Sequence, residues 1–128
     1  MEWMSAAAVF VGGGLGAVLR YYLERFLAPR RTSDALISAV FVINVLGSLA
    51  LGIVGAAVNV LGGQDAIAYA GLSLGLLGGF TTFSTAMVEA VQALLAARYA
   101  RFVMLWLVQP TLSLLALIAG YTAAAAVL

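Results

Sequence analysis

The chain has 128 residues, of which 65% are hydrophobic and 9% charged, and its net charge is +1. That leaves too little polar surface for a soluble domain of this size, and too little positive charge for a nucleic-acid partner. With no cysteine and no histidine, disulfides, thiolate nucleophiles, iron–sulfur centres and the usual zinc ligand and general base are all excluded, and no nucleophile–base set suggests an enzyme.

Four apolar stretches follow one another, at residues 3–27, 35–61, 66–97 and 102–128. Each meets or exceeds the ~20 residues needed to cross a hydrocarbon core. The prediction is an all-α membrane protein, with residues 1–128 forming a single four-helix transmembrane domain in a cell inner (plasma) membrane. No basic segment precedes the first stretch, so it reads as a retained span rather than a cleaved signal peptide. Within it, "VGGGLGA" sets Gly12 and Gly16 one helical turn apart, a spacing that lets two helices approach closely.

The first connection, "LERFLAPRRTSD", contains Pro29, which stops or turns the helix, and Ser33 and Asp34, either of which is suited to cap the next one. The second connection is only "GGQD" and the third is "ARYAR". Arg25, Arg30, Arg31, Arg98 and Arg101 fall in or beside the first and third connections, whereas the opposite side has Glu2 and Asp65 and no basic residue. By the positive-inside rule the arginine-rich side is cytoplasmic and both termini face out. Trp3, Tyr21, Tyr22, Tyr69, Tyr99, Trp106 and Tyr121 lie mostly near span ends, as interfacial anchors do.

In the second span, "INVLGSLALG" repeats Asn44, Ser48 and Gly52 every four residues, hence on one helix face. An amide in hydrocarbon is costly unless paired. Asn44 therefore either bonds a neighbouring helix or lines a pathway with its N–H groups.

The third span carries Gly71, Gly75 and Gly79 at the same close-packing interval and then "GGFTTFSTA" at 78–86. Gly78 and Gly79 weaken a helix, and Thr81 and Thr82 compete for its backbone bonds. A break near Gly78 is expected. Irregular backbone at this depth survives only when buried in protein, facing water or binding an ion. The half-helix that ends there would aim its carbonyls at the break, as discontinuous transporter helices do around Na⁺. Beyond it, Thr82, Thr85, Glu89 and Gln92 form one polar stripe. A packing kink would explain the break alone; together with the stripe and the carboxylate it points to an ion or solute path.

"GGGLGAVLRY", "VINVLGSLALG" and "GGFTTFSTAMVE" together resemble the signatures of the Fluc (CrcB) fluoride channel family. The resemblance implies passive export of fluoride from the cytoplasm by an antiparallel dimer with two pores and a structural Na⁺ at its centre. It implies Asn44 as the pore-lining amide, with Ser48 on the same face. It makes Phe83 the first pore phenylalanine, with Ser84 and Thr85 beside the path. Backbone carbonyls of Gly78 and Thr81 would hold Na⁺. Arg20 would stand near the vestibule and Glu89 would be the carboxylate after the break. Thr111 or Ser113 would supply a hydroxyl from the fourth span. Asn N–H and Ser/Thr O–H donors suit a small, strongly hydrated anion, and a phenyl ring offers it a positive edge.

Two features depart from the family pattern. The family has a second phenylalanine where this chain has Ala86, and the arginine asymmetry is strong for a subunit that inserts both ways. Both leave open an antiparallel homodimer, a heterodimer with a paralogue, or a role for this chain as the non-conducting partner of such a heterodimer. The competing expectation is a proton-coupled small multidrug exporter. That needs an acid in the first span, and residues 4–23 contain none.

Overall fold

A computed structural model describes residues 2–28, 35–60 and 66–128. Pro29, Arg30, Arg31, Ser33, Asp34 and the "GGQD" connection with Asp65 lie outside the described residues. The described residues form the helices α1 (Glu2–Leu27), α2 (Ala39–Val60), α3 (residues 66–80), α4 (Phe83–Leu95) and α5 (Tyr99–Val127). Four helices are long and apolar enough to span a membrane, the third being α3 and α4 together, Ile67–Leu95. Among the described residues there is no strand. This is a multi-pass membrane protein.

Local chemistry sets the helix ends. The α2 N-terminus is capped by Ser38, whose Oγ accepts from the Phe41 N–H at 3.1 Å. The cap thus falls four residues beyond Asp34, because the helix itself begins only at Ala39. At the far end of α4, Ala97 adopts a left-handed φ of 56°. The Ala97 and Arg98 N–H groups then fold back onto the Leu94 and Ala93 carbonyls, a Schellman stop that reverses the chain into α5.

Lipid tails are as apolar as leucine, so burial alone does not draw these helices together; close packing does. Along α1 and α3, glycine meets backbone. A Cβ on Gly16 would stand 2.8 Å from the Phe80 nitrogen and one on Gly79 2.9 Å from the Gly13 Cα. The α2–α5 pair repeats the device: a Cβ on Gly52 would fall 2.8 Å from the Tyr121 nitrogen. Near that end, Asn59 donates to the Tyr121 hydroxyl at 3.1 Å. The bundle is therefore two tight pairs, α1 with α3 and α2 with α5, while α4 rests on the opening turns of α5. The buried face of α4 is made of Ala86, Ala90 and Ala93. Ile43 and Leu105 are fully buried, whereas many long apolar side chains, Phe10, Leu74 and Leu95 among them, are exposed on the outer surface, where a bilayer or a partner covers them.

Two stretches are wound wider than an α-helix, as π-helix: Ala70–Leu77 in α3 and Met104–Val108 in α5. The second has a visible cause. Pro110 has no N–H and its ring would press on the carbonyl four residues back in a regular helix. The wider turn ahead of it relieves that crowding, and the Gln109 N–H reaches back to the Met104 carbonyl.

Candidate functional site at the helix break

The third span opens near the middle of Ile67–Leu95. The break lies at Thr81 (φ −84°, ψ 155°) and Thr82 (φ −149°, ψ 126°), both extended. This corrects the expectation of a break near Gly78. Gly78 and Gly79 stay helical because the α1 contact holds that turn against the Gly13 backbone. The helix gives way two residues later, where a side chain replaces the lost backbone bonds.

That side chain is Asn44. Its Oδ1 accepts from the Thr82 N–H at 2.8 Å and its Nδ2 donates to the Thr82 carbonyl at 2.7 Å. The amide thus pairs with Thr82 much as a neighbouring strand would, and it is buried. The expected bond to another helical segment is present, and Asn44 also lines a cavity. One Nδ2 hydrogen is used on Thr82; the second remains for that cavity.

Thr82 turns the chain into the next helix. Its Oγ1 accepts from the Thr85 N–H at 3.3 Å, capping α4, and lies 3.2 Å from Thr85 Oγ1 and 3.3 Å from Ser84 Oγ. Thr81 Oγ1 donates back to the Leu77 carbonyl at 3.0 Å. In a continuous helix the Thr82 N–H would serve the Gly78 carbonyl. It serves Asn44 instead, so the Gly78 carbonyl loses that donor. The break therefore sets two opposite ends together: the carbonyl end of α3, which favours a cation, and the amide end of α4, which favours an anion.

A cavity of about 240 Å³ opens beside the break, lined by Asn44, Ser48, Thr81, Thr82, Phe83, Gln109, Pro110 and Ser113. Phe83, though part of the lining, is 70% exposed. On α5, the Gln109 Oε1 and the Ser113 Oγ are buried with no hydrogen-bond partner among the described residues. Between the two hydroxyls left open on the fourth span, the fold brings only Ser113 to the cavity. Thr111 is exposed and donates to the Leu107 carbonyl at 2.7 Å; half a helical turn separates its direction from that of Ser113. Thr111 therefore does not line this cavity. Ser84 and Thr85 stand one bond away, through Thr82, and do not themselves line the cavity.

The sequence reading missed Gln109. Its signal was present, since an amide beside a proline in an apolar span is a costly choice that asks for a partner. Arg20 lies apart from the cavity, 4.0 Å from Glu24 on its own helix. Glu89 does not sit as a bare intramembrane carboxylate: Arg101 Nη2 is 3.7 Å from its Oε2. Ala86 is wholly buried and does not line the cavity, so the alanine leaves no gap in the cavity wall of this chain.

The fold and the cavity define a class: small four-span membrane proteins with a broken helix and a polar cavity beside the break. Residues 7–121 match the family described as "CrcB-like protein, Camphor Resistance (CrcB)", and the chain belongs to that family. Among its relatives, the "Fluoride-specific ion channel FluC" of Methylobacterium nodulans is 40% identical over 87 residues, 68% of each chain. The "Fluoride-specific ion channel FluC 1" of Corynebacterium jeikeium is 44% identical over 92 residues, 64% of this chain and 65% of the relative. The "Fluoride-specific ion channel FluC 2" of Cutibacterium acnes is 43% identical over 91 residues, 70% of this chain and 72% of the relative.

Proposed function

We propose that this chain is a subunit of a fluoride-selective channel that lets fluoride leave the cytoplasm across the plasma membrane. The observation that carries the proposal is the donor-lined cavity at the amide end of α4. Asn44, Ser48 and Ser113 offer N–H and O–H groups there, and Gln109 adds a second amide. The α4 N-terminus adds its first unpaired amides and a partial positive charge. The Phe83 ring has a positive edge. Such donors replace the water that a small anion gives up, without the tight grip of a buried lysine that would slow exit. The relatives' names supply the ion that the chemistry alone leaves open.

Na⁺ at the break is part of the same proposal. Its ligands would be backbone carbonyls of Gly78 and Thr81, the former already relieved of its helical donor by Asn44. Among the described residues no group of three acidic side chains gathers to hold a metal, so backbone oxygen is the donor on offer. A sodium ion there would cancel the carbonyl end of α3 and steady the break.

The working unit would be an antiparallel dimer, of this chain with itself or with an oppositely inserted paralogue. Loop arginines on one side favour the paralogue. The exporter alternative lacks an acid within residues 4–23 of the first span, and Glu89 in the third is already paired with Arg101.

The test is efflux from liposomes that contain only this purified chain, followed with a fluoride electrode and with chloride as control. Fluoride should leave while chloride stays, and Asn44→Leu should stop the flux in protein that still assembles. Retained fluoride from the wild type, or chloride escaping equally fast, overturns the proposal for the chain alone. Flux that appears only when the paralogue is reconstituted beside it assigns the heterodimer.

A further inference from the structure

A second polar cavity, of about 320 Å³, is lined by Glu89, Gln92, Ala93, Ala96, Arg98 and Arg101. It lies where α4 gives way to α5, on the arginine-rich side of the bundle. The polar stripe of α4 leads to it. Thr82 lines the first cavity and Glu89 the second, with Thr85 on the same face between them. The seven steps from the cap residue Thr82 to Glu89 cover about 10 Å at the rise of an α-helix. The break and the arginine-rich side are thus joined along one face.

Glu89 is the difficulty on that route. A bare carboxylate at the mouth of an anion path repels what the path carries. Arg101 answers it from α5. Its Nη2 stands 3.7 Å from Glu89 Oε2, with the two side chains 15% and 25% exposed. Oε2 itself is buried and accepts no hydrogen bond among the described residues. The contact is therefore one of charge, not a fixed two-pronged fork. The other Nη of Arg101 donates to the Ala35 carbonyl, which anchors the guanidinium beside the cavity. Arg98 adds a second positive side chain to the lining and Gln92 a neutral one.

We propose that Arg101 is a positioning residue of the pathway: by cancelling the charge of Glu89 at the mouth on the arginine-rich side, it keeps that mouth passable to an anion. This rests on the channel assignment above. With Arg101 in place the titratable groups around the cavity sum to one positive charge, from Arg98, Arg101 and Glu89. Without it they sum to zero, and the negative member lies on the route itself.

The test is fluoride efflux from liposomes with the complete chain, and with its paralogue where the wild type requires it. Arg101→Gln should slow fluoride about tenfold at low ionic strength, where screening is weak, and by less as an impermeant salt is added. Glu89→Gln should conduct at least as fast as the wild type. The double variant should return to within about threefold of it, since the uncancelled charge is gone. Arg101→Lys keeps the charge and should stay near wild type. A merely structural clamp predicts otherwise: the double variant would remain as slow as Arg101→Gln, with no dependence on salt, and that result overturns the proposal. Wild-type rates in Arg101→Gln overturn it too. Should Arg101→Gln fail to assemble, Glu89→Gln decides alone, and a slowed flux there sinks the idea. A wild type that carries no fluoride in either reconstitution defeats the channel assignment, which the other outcomes leave standing.

Discussion

Asn44 meets a demand that few side chains can satisfy. Thr82 presents both an N–H and a carbonyl to it, at 2.8 and 2.7 Å. An amide answers both; an aspartate has only acceptors and a leucine neither. Asn44→Leu therefore strands two backbone groups as well as removing a donor from the cavity, at about 1–3 kcal/mol for each unsatisfied group. The folding controls in the efflux test matter for this reason. Ala86 gives a second prediction at this scale. It is 0% exposed on the packed face of α4, and a phenyl ring there must push its neighbours aside. Ala86→Phe should destabilise the purified chain by about 1–3 kcal/mol, read as a lower thermal midpoint in detergent. A ring accepted with no loss of stability would show that this face is looser than its burial implies, and would reopen Ala86 as the site of a missing pore ring.

Among the helices, the glycines divide into those that carry a contact and those that do not. Gly16 packs on the α3 backbone at Phe80, whereas Gly14 has nothing within 4 Å of a would-be Cβ. Gly16→Ala should separate α1 from α3 and cost assembly, seen as aggregation or a shifted elution volume. Gly14→Ala, two residues away, should elute as the wild type. Equal behaviour of the two variants would mean that the α1–α3 contact is not the one described. The turn between the third and fourth spans offers the opposite sign. Ala97 holds φ 56° with a Cβ, a conformation that glycine adopts at about 1 kcal/mol less cost. Ala97→Gly should raise stability by about that amount, and a drop would show that the Schellman stop is not limiting. The sequence pattern located the glycine contacts because a four-residue repeat fixes a helix face. It misplaced the break, because whether Gly78 or Thr81 yields first depends on what α1 and α2 press against each.

For the molecule as a whole, orientation follows from the loop arginines. Tags on the two termini should report mainly the periplasmic side in intact cells, because Arg25, Arg98 and Arg101, with Arg30 and Arg31, all fall on the opposite side. Equal labelling from both sides would show a chain that inserts either way and would favour the homodimer. The unpaired apolar surface of the subunit is compatible with lipid or with a second subunit. The arginine balance therefore bears on the partner more directly than the surface does.

The sequence by itself determined the membrane class, the four spans, the close-packing glycines and the existence of a break, since each depends on length, composition or spacing along one helix. It also placed Asn44 and Ser113 among the candidates for one polar site. Only the tertiary structure decided which groups meet. It joined the Asn44 amide to the Thr82 backbone, turned Thr111 outward and Ser113 inward, brought in Gln109, and gave Glu89 its arginine. Those outcomes depend on the rotation of one helix against another, which is set by backbone contacts at residues such as Gly16, Gly52 and Gly79. Spacing within a single segment leaves that rotation undefined.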